Sequence, residues 1–313
     1  MRGVSRAFLV AIIAAVGLNA QAATISLTTN NGAGASWETA GAAPNFTWSD
    51  GLAAHPGANY EVGANLLLRT PTSGSPTFPG DSLMVQGQFN LNAGSNSTTM
   101  IANLALEAGG VIVNAVSGST QTLAGSLAVD AGTGFIKGTG SSGGGDNRNI
   151  VITALVSGDS EIHFLRRGTF TLSNPNNSFS GTWRVGGTGV LISGASSAPT
   201  MVSNQSGEPT ALKASAGSPG GTTGCLGLNA SVVMDADSIF EPEYNWATTG
   251  SLTLNANSQM ILNRTIRVEA LTVGGVSFAD GSYSHAYLAA NHGAYFPAGG
   301  SGTIIVGEGF VEP

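Results

Sequence analysis

The sequence predicts an all-β fold of the solenoid type, a parallel β-helix, and three observations carry that expectation. Charged residues make up only 9% of the 313 residues, while glycine reaches 46. The remaining polarity comes from Ser, Thr and Asn, short or β-branched residues that favour strands and turns over helix interiors; lysine, a good helix former, occurs only as Lys137 and Lys213. Short alternating apolar runs begin at Leu83, Leu104, Leu127, Ile150, Phe170 and Val190. Their spacing of roughly 20 to 23 residues is the kind that marks a coil completed once per repeat.

Taken in order, residues 1–22 read as a signal peptide. Arg2 and Arg6 open it, Phe8 to Val16 forms a short apolar core, and Ala20-Gln21-Ala22 supplies the small residues of a cleavage site. The apolar core is too short for a membrane span. Cleavage after Ala22 is expected, giving a secreted or cell-surface protein whose mature chain has no membrane span.

Residues 23–80 are expected to be an N-terminal strand and loop-rich cap. Ala23 to Thr28 alternates like a strand, and the region then holds Trp37, Trp48, Tyr60 and the prolines Pro71, Pro76 and Pro79. Trp37 and Trp48 have two readings, a sugar-stacking surface or plugs over an open core end, and the plug is preferred.

Residues 81–313 are expected to be β-helix repeats with a closing C-terminal segment. Turn clusters such as Ala93 to Asn96 and Asn174 to Asn177 separate the apolar runs. Ser193 to Gly224 reads as a long loop. Strands resume at Leu226-Gly227-Leu228, Ser231 to Met234, Leu252 to Leu254, Met260 to Leu262, Ile266 to Val268, Leu271 to Val273 and Thr303 to Val306. Ser284 to Asn291 is the one mature stretch suited to a helical turn or two. A lone coil of this kind buries too few apolar side chains to offset its ordering, so coils must stack, and the two ends of the stack need caps.

Charge and cysteine content narrow the function classes. Removing Arg2 and Arg6 takes the net charge from −7 to −9, and no basic stripe is visible, so no nucleic-acid partner is expected. Cys225 is the sole cysteine and forms no intramolecular disulfide. With no cation or His beside it in the sequence, it reads as a small buried hydrophobe rather than a reactive thiol.

The stretch Gly168-Thr169-Phe170-Thr171-Leu172-Ser173, continuing through Asn177-Ser178-Phe179-Ser180-Gly181-Thr182-Trp183 to Gly189-Val190-Leu191, resembles the autotransporter-associated β-strand repeat. Leu271 to Val276, Gly281 to Ser284 and Gly302 to Val306 look like the closing segment of such exported bacterial proteins. Trp48 to Gly51 with Phe78 to Leu83 is similar to their N-terminal region. The resemblance implies a right-handed, single-stranded parallel β-helix in a passenger-like or surface-structural role, and it transfers no catalytic residues. A compact β-sandwich is the rival fold. The sequence carries no C-terminal set of alternating strands of the membrane-barrel kind, so self-secretion is not expected.

A search for chemistry assigns no catalytic, cofactor-binding or metal-binding residue. His55, His163, His285 and His292 fall in no metal-ligand motif. Gly140-Ser141-Ser142-Gly143-Gly144 matches Gly-x-Ser-x-Gly but lacks the strand-to-helix context of a nucleophile elbow. The densest carboxylate group is Asp235, Asp237, Glu241 and Glu243. It reads first as a solvated outer face, with Ca²⁺ binding and sugar hydrolysis as alternatives. The expected function is a non-enzymatic secreted or cell-surface structural protein, adhesin-like, with extracellular polysaccharide or cell-surface components as its partners. The alternative is a polysaccharide-binding or polysaccharide-processing module.

Overall fold

A computed structural model describes residues 23–32, 34–40, 48–107, 109–138, 148–192, 199–203, 209–217 and 224–307, with backbone alone for 189–192 and 199–203. The expected signal peptide and the Gly140 to Gly144 match lie outside the described residues.

Strands of four or five residues with alternating burial dominate, for example Ser82–Val85, Thr182–Val185 and Ser251–Leu254. Such strands cannot stand alone, and the chain resolves this by alternating between two long sheets. Sheet 1 runs Thr24–Ser26, Asn59–Val62, Ser82–Val85, Thr98–Leu106, Thr120–Ala128, Asn149–Ile152, Gly168–Leu172, Thr210–Ala214, Ser238–Pro242 and Ser258–Met260. Sheet 2 runs Leu67–Arg69, Gln88–Leu91, Val111–Asn114, Thr133–Lys137, Glu161–Leu165, Thr182–Val185, Ser231–Met234, Ser251–Leu254 and Ala270–Val273. All neighbours along these two series pair in parallel. Each circuit through both sheets is one coil, and the protein is a parallel β-solenoid. A sandwich built from hairpins would place antiparallel strands side by side instead.

Register stacks like on like. In sheet 2 the inward residues Leu68, Phe89, Ile112, Ile136, Phe164, Val185, Met234, Leu254 and Val273 are successive register partners. Each is buried, and with the inward side chains of sheet 1, such as Tyr60, Leu83, Leu104 and Leu127, they form one continuous core. Burial of this apolar surface is the main stabilising term, and every coil shields the next.

The abundant Asn and Ser have a matching role at the strand ends. Asn30 Oδ1 accepts from Leu67 N at 2.8 Å, Asn149 Oδ1 from Thr169 N at 2.9 Å, and Asn245 Oδ1 from Thr265 N at 3.0 Å. Each bond ties one coil to a neighbour and satisfies a backbone donor that the corner would otherwise strand.

Residues 23–80 feed the same stacks, contributing Thr24–Ser26 and Asn59–Val62 to sheet 1 and Leu67–Arg69 to sheet 2. Trp37 and Trp48 are completely buried there. Trp48 packs edge-on against Tyr60 at 4.6 Å and Trp37 against Phe78 at 5.3 Å. They plug the core, and the sugar-stacking reading of these two rings is set aside.

Three expectations need correction. Val190-Leu191-Ile192 leaves the stack: Thr188–Ile192 pairs antiparallel with Pro199–Ser203. The preceding Gly186 and Gly187 hold φ of 82° and 68°, a left-handed pair that turns the chain out of the coil. The sheet-1 position is taken by Thr210–Ala214, so the expected loop from Ser193 to Gly224 contains a coil strand. Leu226-Gly227-Leu228 is a turn rather than a strand, with Gly227 at φ 81° and Leu228 exposed.

At the C-terminal side a third, short sheet forms. Trp246–Ala247, Thr265–Val268 and Thr303–Val306 are parallel, and Gly281–Ser284 closes the sheet antiparallel. Val276–Ser277 folds back antiparallel on Ala270–Val273. The helix α1, His285–His292, is capped by Ser284, whose Oγ accepts from Tyr287 N at 3.3 Å.

Candidate functional site

The acidic group singled out in the sequence is divided by the fold. Asp235 follows the sheet-2 strand Ser231–Met234, Asp237 sits at the next turn with φ 56°, and Glu241 lies on the sheet-1 strand Ser238–Pro242. Lys213, the register partner of Glu241, pairs with it at 2.5 Å and with Glu243 at 3.6 Å. Among the described residues no three His, Cys, Asp or Glu side chains gather in a way suited to a metal ion.

Asp235 belongs instead to a polar ladder on the outer face of sheet 2. Thr133 Oγ1 donates to Glu161 Oε1 at 3.3 Å, and Arg184 Nη1 lies 3.5 Å from Glu161 Oε2. Arg184 Nε donates to Asp235 Oδ2 at 2.6 Å, and Asn255 Nδ2 donates to Asp235 Oδ1 at 2.7 Å. Five successive coils are joined in this way. The Arg184 guanidinium bridges both carboxylates, and these pairs raise its pKa against the opposing effect of partial burial. Glycosidase chemistry requires one protonated and one free carboxyl group facing each other across a sugar. Here the two carboxylates are instead bonded through one cation.

His163 lies beside this ladder, buried, with its Nε2–H donating to the Gly186 carbonyl at 2.7 Å and its ring tilted against Phe135 at 5.7 Å. Burial is the largest influence on it and lowers its pKa, so the ring is held neutral. Next to it Val111, Val113, Phe135 and Leu165 form a second apolar cluster, separate from the main core. The remaining histidines are dispersed. His55 contacts Asp50 at 3.1 Å, His285 Nε2 donates to the Pro297 carbonyl at 2.9 Å, and His292 packs 5.1 Å from Phe278.

All four tryptophans are buried. Trp183 Nε1 donates to the Leu226 carbonyl at 2.8 Å and Trp246 Nε1 to the Gly227 carbonyl at 3.3 Å, anchoring the turn that the sequence reading took for a strand. Among the described residues, exposed aromatic surface lies elsewhere, where Tyr287 of α1 is 5.8 Å from Tyr283.

Sequence reasoning missed Glu161, Arg184 and Asn255 as a unit. The available signal was coil spacing: Glu161 and Arg184 sit one coil apart, as do Asp235 and Asn255. Fold and surface together define the class, a parallel β-solenoid with a polar ladder along one outer face. No protein-family model, curated protein or solved structure matches the chain.

Proposed function

We propose that this chain is a secreted or cell-surface structural protein, adhesin-like and passenger-like in the manner of the autotransporter-associated β-strand repeat proteins it resembles. The observation that supports this most is how the outer-face polar groups are used. Thr133, Glu161, Arg184, Asp235 and Asn255 bond to one another across coils, which suits a load-carrying rod more than a reaction centre. A polysaccharide hydrolysis screen tests the reading. No sugar release is expected from the native protein, and release abolished by Asp235→Asn would overturn it.

A second reading, polysaccharide binding, is favoured by one observation. Tyr287 is 49% exposed and lies beside Tyr283, and such rings at the end of a solenoid suit stacking on sugar faces. A glycan array comparing the native protein with Tyr287→Ala discriminates the two, since binding lost in the variant selects this second reading.

A further inference from the structure

The closing segment from residue 270 to 307 contains neither Lys nor Arg, and its one acidic side chain is Asp280. Within it four rings make consecutive contacts at the C-terminal end of the solenoid. Tyr287 lies 5.8 Å from Tyr283 at 42°, Tyr283 meets Phe278 edge-on at 4.9 Å, and Phe278 lies 5.1 Å from His292. Phe278, Tyr283 and His292 are half-buried, and Tyr287 is exposed.

The row is held from beneath. Phe278 and Tyr283 pack against the main core, and the Tyr283 hydroxyl donates to the Ala279 carbonyl at 2.7 Å. The helix α1 is pinned by Leu288, which has no exposed surface, and by the bond from His285 to the Pro297 carbonyl. The Tyr287 ring thus stands on a fixed base, and a ligand that stacks on it orders little of the protein. Its helical neighbours Ser284, Ala290 and Asn291 are exposed as well. Asn291 Nδ2 donates to the Tyr287 carbonyl at 2.8 Å. One aromatic face rimmed by small and polar groups matches a sugar, whose apolar ring face is bordered by hydroxyl groups. A second protein surface would call for a contiguous apolar core instead.

Charge selects among sugars. The chain carries a net charge of −7, and the Asp280 carboxylate, set against Gly307, adds a negative charge beside the edge strand Gly281–Ser284. The same sheet holds Arg267, but its register partners are Ile305 and then Ser282, which alternate with Ile304 and Tyr283. Arg267 therefore leaves the sheet on the face opposite Tyr283. An acidic polymer meets repulsion at this end, with no cation in the closing segment to offset it.

We propose that the Tyr287 face of the C-terminal cap binds a neutral polysaccharide chain and discriminates against uronic-acid and sulfated ones. The inference rests on the polysaccharide-binding reading given above and adds the class of sugar.

Ring-labelled tyrosine makes the test direct, since the full-length protein has five, Tyr60, Tyr244, Tyr283, Tyr287 and Tyr295. The neutral probes are hexasaccharides of glucose, mannose and xylose; the acidic probes are a galacturonate hexasaccharide and a heparin-derived hexasaccharide. In nuclear magnetic resonance titrations a neutral probe is expected to move Tyr287 and Tyr283 and to leave the buried Tyr60 and Tyr244 unmoved. Its affinity should be insensitive to added NaCl and about tenfold or more above that of the acidic probes. Tyr287→Ala, at an exposed position that the fold tolerates, should weaken it about tenfold. Acidic probes that move Tyr287 as strongly as neutral ones overturn the inference and leave the polysaccharide-binding reading standing. If neither set moves Tyr287, both fall. A change in sedimentation mass in Tyr287→Ala, with sugar binding intact, identifies a second copy of the chain as the occupant and overturns the proposal.

Discussion

The side-chain amide of Asn177 donates to the backbone carbonyl of Cys225 at 2.7 Å, joining residues 48 apart in the chain. Its oxygen accepts from Val156 N at 2.8 Å, so one buried side chain links three segments of the solenoid. Asn177→Ala leaves a buried N–H and a buried carbonyl without this partner, at a cost of about 2–5 kcal/mol. Asn177→Asp keeps the acceptor but sets a carboxylate against the Cys225 carbonyl, so it should be no better than alanine at neutral pH. Equilibrium unfolding in urea measures both, and an alanine variant as stable as the native protein contradicts the role.

The sulfur of the same Cys225 is sealed. Burial pushes its pKa up to about 11, and the residue has no exposed surface. At pH 8 the thiolate fraction is therefore on the order of one in a thousand. Labelling by a thiol reagent should be slow in the native protein and immediate in denaturant. Fast native labelling would show that the interior opens locally here.

Gly125 occupies the irregular register where Thr98–Leu106 pairs with Thr120–Ala128. Its φ is 100°, and a Cβ there would overlap the Ile101 carbonyl. Both the backbone conformation and the space exclude alanine, so Gly125→Ala should destabilise by about 2 kcal/mol or more. Gly34, also at positive φ but with open space beside it, is a control in which only the backbone term acts. Thermal unfolding of both variants separates the two effects, and a smaller loss at Gly125 than at Gly34 would contradict the packing described.

Lys137 makes stability depend on pH in a defined direction. Its folded value near 8 lies below the ordinary 10.5, so between these values the unfolded chain holds a proton that the folded chain lacks. Stability contributed by this group therefore rises with pH across that window, and the full penalty, roughly 3 kcal/mol, applies below it. Lys137→Met keeps the stem between Val113 and Leu165 and removes the charge. The variant should gain up to about 3 kcal/mol at neutral pH, and the gain should fade as pH approaches 10.5. Urea unfolding across this pH range checks the trend; a gain that is independent of pH contradicts it.

How much of this was legible in the sequence depends on what each feature repeats. Leu83, Leu104 and Leu127 are register partners one coil apart, and their spacing alone disclosed the stack. Ile150 has the right spacing but stacks on Gln121, because the long strand Thr120–Ala128 carries two neighbours, Asn149–Ile152 and Leu155–Ser157. Val190 has an apolar pattern identical to its predecessors, yet two glycines upstream turn it out of the coil. Alternation reports which face is buried and is blind to where the chain turns. The polar ladder was only partly legible for a further reason. Arg184 meets Asp235 across 51 residues, because the antiparallel excursion of Thr188–Ile192 and Pro199–Ser203 lies between the two strands. Such contacts follow from register, which composition and local spacing do not contain.

The central claim is that successive coils stack in parallel register, so that Ile136, Phe164, Val185 and Met234 form one inward ladder. Backbone nuclear Overhauser contacts in the isotope-labelled protein test it most directly. Phe164 is predicted to show parallel-sheet contacts to the backbone of both Ile136 and Val185 and none of the close Hα–Hα contacts of antiparallel pairs. Antiparallel contacts between Glu161–Leu165 and either neighbouring strand would contradict the solenoid.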